Sequence, residues 1–548
     1  MARLSSCALA LAGLSFAASG ASPQAQYVGS KVCFGCHADI YRSFLKTGMG
    51  RSMRLANDLS PADIPAEASV PLPAEGRTLR VFHDDAGWHQ SETEANVFVD
   101  EHKLDYAVGS GANGLSFIVR RGNYLFQAPL SFYSKVGKWD LSPGYQYADY
   151  GFSRPIAEQC VLCHSGRPQP VANRNGEYLD PPFRELAIGC ENCHGPGEFH
   201  VALKGKAPGS IVNPAKLPPR LAENICMNCH QGGDARVLQP GKSYLDFRPG
   251  QWLIETAAIF KIPPKPGEQK DSDLLEHNSA MRISRCFRES RGKLSCLTCH
   301  DPHVQPAPAE ASAYFREKCL LCHTDSSCKI PQKVRASQAP PDDCIGCHMP
   351  KRNVAVISHS ALTNHRIPAR PDEPMPDEGP SEEAGLLLVN QVPGRTASVP
   401  EITLLRAYSE LAAQEPHFEQ RYLALLSQLA QTQPKDPFVQ AALGHKALAE
   451  GKNEEALAHL SKALELGDAT VYQDMAKALS NLNRGGEAID YLKRGLIISP
   501  FNAVLLKTLA LEYINLKEYA EARQTMERYV ELFPEDSFMR KLLARVTN

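Results

Sequence analysis

The feature that most constrains this chain is a five-residue pattern, Cys-x-x-Cys-His, which occurs seven times between residues 33 and 348. The seven copies are Cys33/Cys36/His37, Cys160/Cys163/His164, Cys190/Cys193/His194, Cys226/Cys229/His230, Cys296/Cys299/His300, Cys319/Cys322/His323 and Cys344/Cys347/His348. Histidine makes up only 18 of the 548 residues, so its position directly after every cysteine pair is not a chance outcome. Residues 33–348 must therefore fold around whatever the pattern binds.

Two cysteines separated by two residues and followed by histidine form the attachment pattern for c-type haem. The two thiols form thioethers with the haem vinyl groups, and the adjacent histidine becomes an axial ligand of the iron. Paired cysteines alone also serve zinc sites and redox dithiols, but neither use needs a histidine after each pair. The sequence therefore predicts seven covalently bound haem c groups, with the fourteen cysteines as attachment points and the seven histidines as iron ligands.

Each haem iron has a second axial position, and other side chains between residues 26 and 370 are candidates for it. The candidates that lie near a motif or follow the last one are His200, His277, His303, His359 and His365. His83 and His89, in a segment with strand-like alternation, are further candidates. Met49 stands 12 residues after His37 between two glycines, and a thioether ligand raises the haem potential. One iron that lacks a second protein ligand stays an open alternative.

The N-terminal 25 residues resemble an export signal, with Arg3, an apolar run over residues 9–18 and small residues after it. The mature protein is therefore expected in the periplasm or another exported location. No later run reaches the roughly 18 apolar residues of a membrane span, so we expect at most peripheral membrane contact. Beyond Cys7 in the signal region, two cysteines lie outside the motifs, Cys286 and Cys328, and an oxidising compartment favours a disulfide between them.

The pattern along the chain predicts a mainly α fold in four parts. Residues 26–370 form a multihaem cytochrome c domain with a loop-rich core packed by the haems and a small β insertion at about 78–150. The insertion is indicated by alternating segments such as 78–82, 116–119 and 124–126. A linker rich in proline and acids follows over residues 371–399, and residues 400–548 form an α-helical repeat domain.

The repeat domain is predicted from residues that recur at spacings of 32 and 34. Three alanines are each followed four residues later by a large apolar residue, and each is preceded 12 residues earlier by a small residue. These sets are Ala456, Ala488 and Ala522; Leu460, Leu492 and Met526; and Gly444, Ala476 and Ala510. Small residues are needed where paired helices cross closely. The pattern resembles tetratricopeptide repeats over about 437–534, with flanking helices at 400–434 and 535–548; a generic array of helical hairpins is the alternative.

Charge gives little support for a nucleic-acid partner. The formal net charge is -2, and residues 1–370 hold 41 Lys and Arg against 35 Asp and Glu. This excess is too small to argue nucleic-acid binding. We expect the extra basic residues to neutralise haem propionates instead.

Several segments go beyond motif spacing in their likeness to a known family. They are Gly189-Cys-Glu-Asn-Cys-His-Gly-Pro-Gly with His200, Val212-Asn-Pro-Ala215, Cys226-Met-Asn-Cys-His230, Ser295-Cys-Leu-Thr-Cys-His-Asp-Pro-His303 and Asp343-Cys-Ile-Gly-Cys-His-Met-Pro350. With these segments the chain resembles multihaem cytochromes c that carry tetratricopeptide repeats, the cytochrome c554/c-prime-like group. The resemblance implies that His200, His303 and His365 are distal ligands, and that Met49 stands where relatives often have histidine.

Two departures from the family pattern bear on activity. The chain has no Cys-x-x-Cys-Lys, the signature of the catalytic haem in pentahaem nitrite reductases, and it has Ala112-Asn113-Gly114 where relatives can carry a histidine. We therefore expect an electron carrier between exported redox partner proteins. The partner proteins would dock at haem edges and in the groove of the repeats. The alternative is an oxidoreductase that acts on a small nitrogen or sulfur compound at one five-coordinate haem.

Overall fold

The computed structural model describes residues 25–147, 151–263, 276–351, 363–370, 373, 385–394, 399–412 and 416–547. Three predictions fall outside these residues: nearly all of the export signal, most of the 371–399 linker, and His359.

The first part of the chain, up to residue 185, is mostly antiparallel β-structure. Its helices are α1 (Ser30–Cys33), α2 (Ala38–Phe44) and α3 (Glu158–Leu162). Its strands are β1 (Met53–Leu55), β2 (Glu67–Leu72), β3 (Arg77–Asp84), β4 (Gly87–Glu94), β5 (Phe98–Lys103), β6 (Tyr106–Val108), β7 (Ser116–Arg121), β8 (Tyr124–Gln127), β9 (Leu130–Tyr133), β10 (Lys138–Leu141), β11 (Arg154–Pro155), β12 (Gly166–Pro170) and β13 (Tyr178–Glu185). They form sheets in the orders β2-β3-β4-β5, β1-β6-β7-β8-β11, β9-β10 and β12-β13.

The alternating segments predicted as strands are confirmed, because they coincide with β3, β7 and β8. Inward residues of β3, β4 and β7 form a common apolar core in which Trp88 and Phe117 are completely buried. Strand β2 lies before the predicted insertion, in a stretch rich in proline and alanine. Its Pro71 is tolerated because β2 lies at the edge of its sheet, where a strand does not need every backbone N–H.

The second part of the chain mixes short helices with one further sheet. The helices are α4 (Cys190–His194), α5 (Glu198–Ala202), α6 (Pro219–His230), α7 (His277–Ile283), α8 (Arg285–Glu289), α9 (Cys296–Cys299), α10 (Ala311–Cys319), α11 (Gln332–Ala336) and α12 (Cys344–His348). The strands are β14 (Ala235–Leu238), β15 (Ala257–Lys261) and β16 (Leu387–Leu388), paired in that order.

The β-structure therefore extends on both sides of the predicted 78–150 insertion, and the mainly α description applies only to the tail. The strands outside 78–150 were not predicted from composition, and there is a physical reason for this. Strand β12 includes Pro168 and Pro170, which are typical of loops but are accepted in a two-stranded sheet with an open edge.

The tail consists of paired antiparallel helices: α13 (Glu401–Leu411), α14 (Pro416–Thr432), α15 (Pro437–Ala449), α16 (Asn453–Glu465), α17 (Tyr472–Asn481), α18 (Gly485–Ile498), α19 (Ala503–Asn515), α20 (Tyr519–Leu532) and α21 (Ser537–Thr547). The predicted small residues lie at the helix crossings. Ala476 and Ala510 are completely buried, and a Cβ on Gly444 would lie 2.6 Å from a methyl carbon of Leu460. The predicted helical repeat pattern is confirmed.

The tail packs back against the first part of the chain. Phe501, between α18 and α19, meets Tyr124 and Phe126 of β8 with ring centroids 5.0 and 4.8 Å apart. Arg540 of α21 forms an ion pair of 2.8 Å with Glu94 of β4. The repeats are thus held against the sheet region. Within the described ranges, none of the helices is both long and apolar enough to cross a membrane.

Candidate haem-binding site

Each of the seven motifs lies on a helix or a single helical turn, which brings its three functional side chains together. In the first motif the His37 amide donates to the Cys33 carbonyl at 2.9 Å, and in the fifth His300 donates to Cys296 at 3.0 Å. Residues three and four apart on such a turn share one face. Both thiols and the imidazole of a motif therefore point to the same side, as attachment to one porphyrin edge requires.

Motifs that are distant in sequence meet through their thiols. Hydrogen bonds join Cys33 to Cys190, Cys163 to Cys229, and Cys226 to Cys296. These contacts pair the first motif with the third, the second with the fourth, and the fourth with the fifth. The Cys33 thiol lowers the pKa of Cys190 to about 7, because its hydrogen bond stabilises the thiolate.

The two cysteines outside the motifs are not joined. Every cysteine from Cys33 to Cys347 is a free thiol in the structure, including Cys286 and Cys328. Cys286 instead lies beside the fifth and sixth motifs, where it interacts electrostatically with Cys299 and Cys322. The expected Cys286–Cys328 disulfide is therefore not present in the structure.

Motif histidines face second histidines from distant parts of the chain. His37 and His200 are nearly parallel, with ring centroids 6.3 Å apart and an interplanar angle of 15°. His194 and His303 repeat this geometry at 6.0 Å and 15°. Two imidazoles on opposite sides of one metal atom, each with a metal–nitrogen bond of about 2 Å, have centroids about 6 Å apart. Both pairs fit the two axial ligands of one haem iron.

A second group of histidines gathers around the fourth and fifth motifs. His300 and His365 are 6.2 Å apart at 33°, which is also close to an axial pair. His277 lies 5.2 Å from His230 at 72° and 4.7 Å from His365. Among histidine rings in contact, His277 is thus the partner of His230, and His365 is the partner of His300.

The sixth and seventh motifs differ from these, because among the described residues no ring contact joins His323 or His348 to another histidine. His323 follows α10 on a helical turn, its amide donates to the Cys319 carbonyl at 3.0 Å, and its side chain is exposed. An iron that lacks a second protein ligand therefore stays an open alternative at these two motifs. Iron binding by His323 and His348 stays a prediction.

The hydrogen bonds of the histidine rings favour iron binding through Nε2. Five Nδ1 atoms have an oxygen partner: His194 with the Val212 carbonyl at 2.8 Å, His200 with Ser210 at 3.3 Å, His303 with Asp301 at 3.2 Å, His348 with the Pro368 carbonyl at 2.8 Å, and His365 with the Thr363 carbonyl at 2.9 Å. Metal-binding histidines commonly donate their other ring N–H to such an acceptor, which fixes the tautomer and orients the ring. The sequence analysis named none of these partners; Asp301, in Cys-His-Asp-Pro-His, lies close enough to a motif to be a visible signal, whereas the carbonyl partners leave no signal in the sequence.

Burial keeps several of these imidazoles neutral. It lowers the pKa of His277 to about 3 and that of His300 to about 4, with smaller contributions from neighbouring imidazoles. The pKa values of His194, His230 and His365 are lowered for the same reason. Neutral imidazole is the form that binds a metal.

The strand-region histidines have other neighbours. His83 packs edge-on against Trp88, and His89 stacks on Phe82 and lies 3.4 Å from a carboxylate oxygen of Asp84. Their ring contacts lie within the β2-β3-β4-β5 sheet. The structure therefore does not bring His83 and His89 to a motif histidine through any ring contact among the described residues.

Met49 is not on a helix, because α2 ends at Phe44 and a turn follows. A Cβ on Gly50 would lie 2.3 Å from the Phe44 carbonyl oxygen, so the glycine is needed for the turn to close on the helix end. Three residues after Met49, the Ser52 hydroxyl donates to the His164 carbonyl at 2.8 Å. The residues just after Met49 thus contact the second motif.

Bare metal ions have no evident site in the described ranges, since no group of three or more His, Cys, Asp or Glu side chains is arranged to hold one. A haem iron takes four ligands from the porphyrin, so the protein supplies at most two. Pairs of histidines, rather than clusters of three, are the arrangement that a haem needs.

Comparison with known proteins identifies the tail. A family model described as a tetratricopeptide repeat matches residues 508–536, which include most of α19 and all of α20. The chain therefore contains a tetratricopeptide repeat near its C-terminus. No curated protein gives a significant match.

Among solved structures, the chain is similar to three proteins over about a quarter of its length. The Cut9-Hcn1 hetero-tetramer of APC/C has 21% identity over 27% of this chain and 30% of that chain, with a TM-score of 0.25. MamA 41-end from Desulfovibrio magneticus RS-1 has 19% identity over 27% and 85%, with a TM-score of 0.25. The first repeat domain of human RPAP3 has 19% identity over 21% and 91%, with a TM-score of 0.19. This chain thus spans less than a third of the Cut9-Hcn1 chain that it matches.

Proposed function

We propose that the protein is an exported electron-transfer cytochrome that carries seven covalently attached haems. The observation that carries the proposal is the pairing of motif histidines with distant histidines. His37 with His200 and His194 with His303 combine a separation near 6 Å, nearly parallel rings and occupied Nδ1 atoms on His194, His200 and His303. The sequence separations are too long for local structure alone to produce this geometry twice.

The residues have three roles in this proposal. The fourteen motif cysteines would attach the haems, and the motif histidines would bind the irons. His200, His303, His277 and His365 would supply further iron ligands, with Val212, Ser210, Asp301 and Thr363 orienting rings through Nδ1. When bound, a haem supplies an iron that takes up or releases one electron without a change of covalent bonds.

The meeting of motifs supports transfer between neighbouring haems. The thiol contacts join the first motif to the third and link the second, fourth and fifth in series. Haems attached at these thiols would start from neighbouring points, so paired haems would be held near each other. Close edges are what rapid electron exchange requires.

The repeat tail would hold a redox partner protein. Repeats of this type present an extended concave surface to partners. A cavity of about 300 Å³ opens between α16, α17 and α18, with Leu457, Met475, Arg484 and Tyr491 among its lining residues. Because Phe501 and Arg540 fix the tail to the sheet region, a partner bound there would stay at a set distance from the haems.

The test is intact-mass measurement on protein purified from its own export pathway. The proposal predicts the mass of the processed chain plus seven haems, and a haem absorption that stays with the polypeptide after denaturation because the attachment is covalent. A mass equal to the bare chain would contradict the proposal, and a smaller number of haems would identify motifs with another use.

A further inference from the structure

An unpaired basic surface lies next to the fifth and sixth motifs. Residues 285–293 contain four exposed cations, Arg285, Arg288, Arg291 and Lys293, and a single acid, Glu289. In the part of the chain that the structure describes, none of these four side chains forms a salt bridge. By contrast, Arg316 and Arg335 nearby are both paired with Asp325 and Asp342. We call residues 285–293 the basic segment.

The basic segment is close to the sites where haems would be attached. The hydroxyl of Thr298, which lies between the two thiols of the fifth motif, donates to the Lys293 carbonyl at 3.4 Å. Helix α9 of the fifth motif packs against α10, which ends at Cys319 of the sixth motif. An exposed charge so near the motifs changes the potential felt by a molecule that approaches either of them.

An exposed apolar side chain adjoins this basic segment. Leu321 lies between the two thiols of the sixth motif and is 68% exposed. Weak electron-transfer complexes bury small interfaces, and a polar rim around an apolar centre is the usual composition of a protein interface. Leu321 beside the basic segment has that composition.

We propose that the basic segment and Leu321 form a docking surface for an acidic one-electron carrier protein. The inference rests on the proposed function, because it requires a haem at the sixth motif. One electron passes between the partner and that haem: the iron goes from Fe(III) to Fe(II) while the partner is oxidised by one electron, or the reverse. No bond forms or breaks, and the cations supply attraction and orientation.

Two other uses of the cations make different predictions. If they neutralise haem propionates within the protein, the approach of an outside protein will not depend on them. If they bind an anionic membrane surface, they will be needed for lipid vesicles and not for an acidic protein. Charge complementarity next to an exposed motif favours the protein partner, because the apolar Leu321 is a single small spot rather than an amphipathic helix.

The experiment uses the full-length haem-loaded protein and flavodoxin as an acidic probe protein. Two quantities are measured at increasing ionic strength: the second-order rate of electron transfer from reduced flavodoxin, and the binding affinity for oxidised flavodoxin by titration calorimetry. We expect both to fall as salt rises, since the attraction is screened. Arg288→Glu with Lys293→Glu should lower the rate about tenfold at low salt and remove its salt dependence.

The matched control reverses the same number of charges on the tail, with Lys477→Glu and Lys541→Glu, both exposed and unpaired by any salt bridge in the described residues. It should change the flavodoxin rate by less than about twofold. If Arg288→Glu with Lys293→Glu lowers haem content, the pair Arg288→Gln with Lys293→Gln is measured instead, with the same direction expected.

Three results would overturn the docking surface. A salt-independent rate that the variant leaves unchanged would assign the cations to propionates. Loss of binding to phosphatidylglycerol vesicles, with the flavodoxin rate unaffected, would assign them to a membrane. A chain with no haem spectrum would overturn the proposed function itself, which the mass measurement separates from the other two results.

Discussion

In the repeat tail, Leu460, Leu492 and Met526 are completely buried between neighbouring helices. Residues 276–351, which hold the last three motifs, are different: among the described apolar side chains there, Ala280 and Met281 are the only ones that are buried. Both regions are helical, but only the tail fills its interior with its own side chains. The comparison indicates that the tail is folded by apolar burial, whereas the motif region lacks an apolar core of its own; under the proposed function, bound haems would supply that core.

The largest expected effect comes from withholding haem. In cells that lack the haem-attachment machinery, residues 276–351 should be digested quickly by protease, because binding energy that contributes to folding is then missing. The helices of the tail should stay protected. Limited proteolysis with mass spectrometry of the fragments checks this, and a protease-resistant 276–351 region in haem-free protein would remove the contrast between the two regions.

Next in size is the loss of one axial ligand. His303→Ala removes the ring that faces His194 at 6.0 Å, so one haem should change from low to high spin. Electron paramagnetic resonance detects the change. His83→Ala is the matched control, since the ring of His83 packs against Trp88 in the sheet. A fully low-spin spectrum for His303→Ala would show that this pair does not hold an iron.

The tail core can be weakened without touching the motifs. Leu460→Ala leaves a cavity between α15 and α16 and should lower the free energy of unfolding of the tail by about 2–5 kcal/mol. Leu466→Ala, at a position that is 37% exposed, should change it by less than about 0.5 kcal/mol. Thermal unfolding followed by circular dichroism measures both, and the haem absorption should be the same in the two variants. A loss of haem in Leu460→Ala would mean that the two regions do not fold independently.

The contact between the tail and the sheet region should contribute less to the free energy of unfolding than the apolar core of either region. Phe501→Ala removes the aromatic contacts with Tyr124 and Phe126 and the cation–π contact with Arg121, and should cost about 1–2 kcal/mol because Phe501 is only partly buried. Tyr519→Ala, at a 53% exposed position on the same repeats, is the control. Hydrogen exchange should rise in β8 for the first variant alone. Unchanged exchange in β8 would mean that the tail is not held there.

The smallest expected effect is a pH dependence of the tail. Asp474 accepts a hydrogen bond of 2.8 Å from His445 and raises the pKa of this histidine above its usual 6.5. The stabilisation is therefore complete below about pH 6.5 and is lost as the pH rises through the folded-state pKa. Since the histidine side chain is half exposed, the effect should stay below about 1 kcal/mol. The free energy of unfolding, measured at several pH values, should fall with rising pH in the parent protein and not in His445→Gln. If it changes with pH equally in both proteins, the prediction is contradicted.

The sequence predicted the tail well because its pattern is local. The small residues Gly444, Ala476 and Ala510 and the apolar residues that pack on them recur at fixed spacing, and a helix converts that spacing directly into a buried face. Strands such as β7 were predicted equally well from the alternation of polar and apolar residues. Strand β12 was not, because prolines that usually mark loops lie in a two-stranded sheet.

For the candidate site, the motif residues were evident and their partners were only partly so. His200 and His303 could be named because each follows a motif closely, but their pairing could not: His200 faces the first motif and His303 the third. Such pairs depend on how loops cross in space, which spacing does not encode. For the same reason the sequence could not show that His323 would stay exposed, or that Ser52, just after Met49, would contact the second motif.

The haem assignment is tested most directly by an experimental structure of the protein purified from its own export pathway. The density between His37 and His200 decides it. The assignment predicts a porphyrin bonded to Cys33 and Cys36, with an iron bound by both imidazoles, whose rings stay about 6 Å apart. Direct contact between the two rings, or a disulfide between Cys33 and Cys36 with nothing between the histidines, would contradict it.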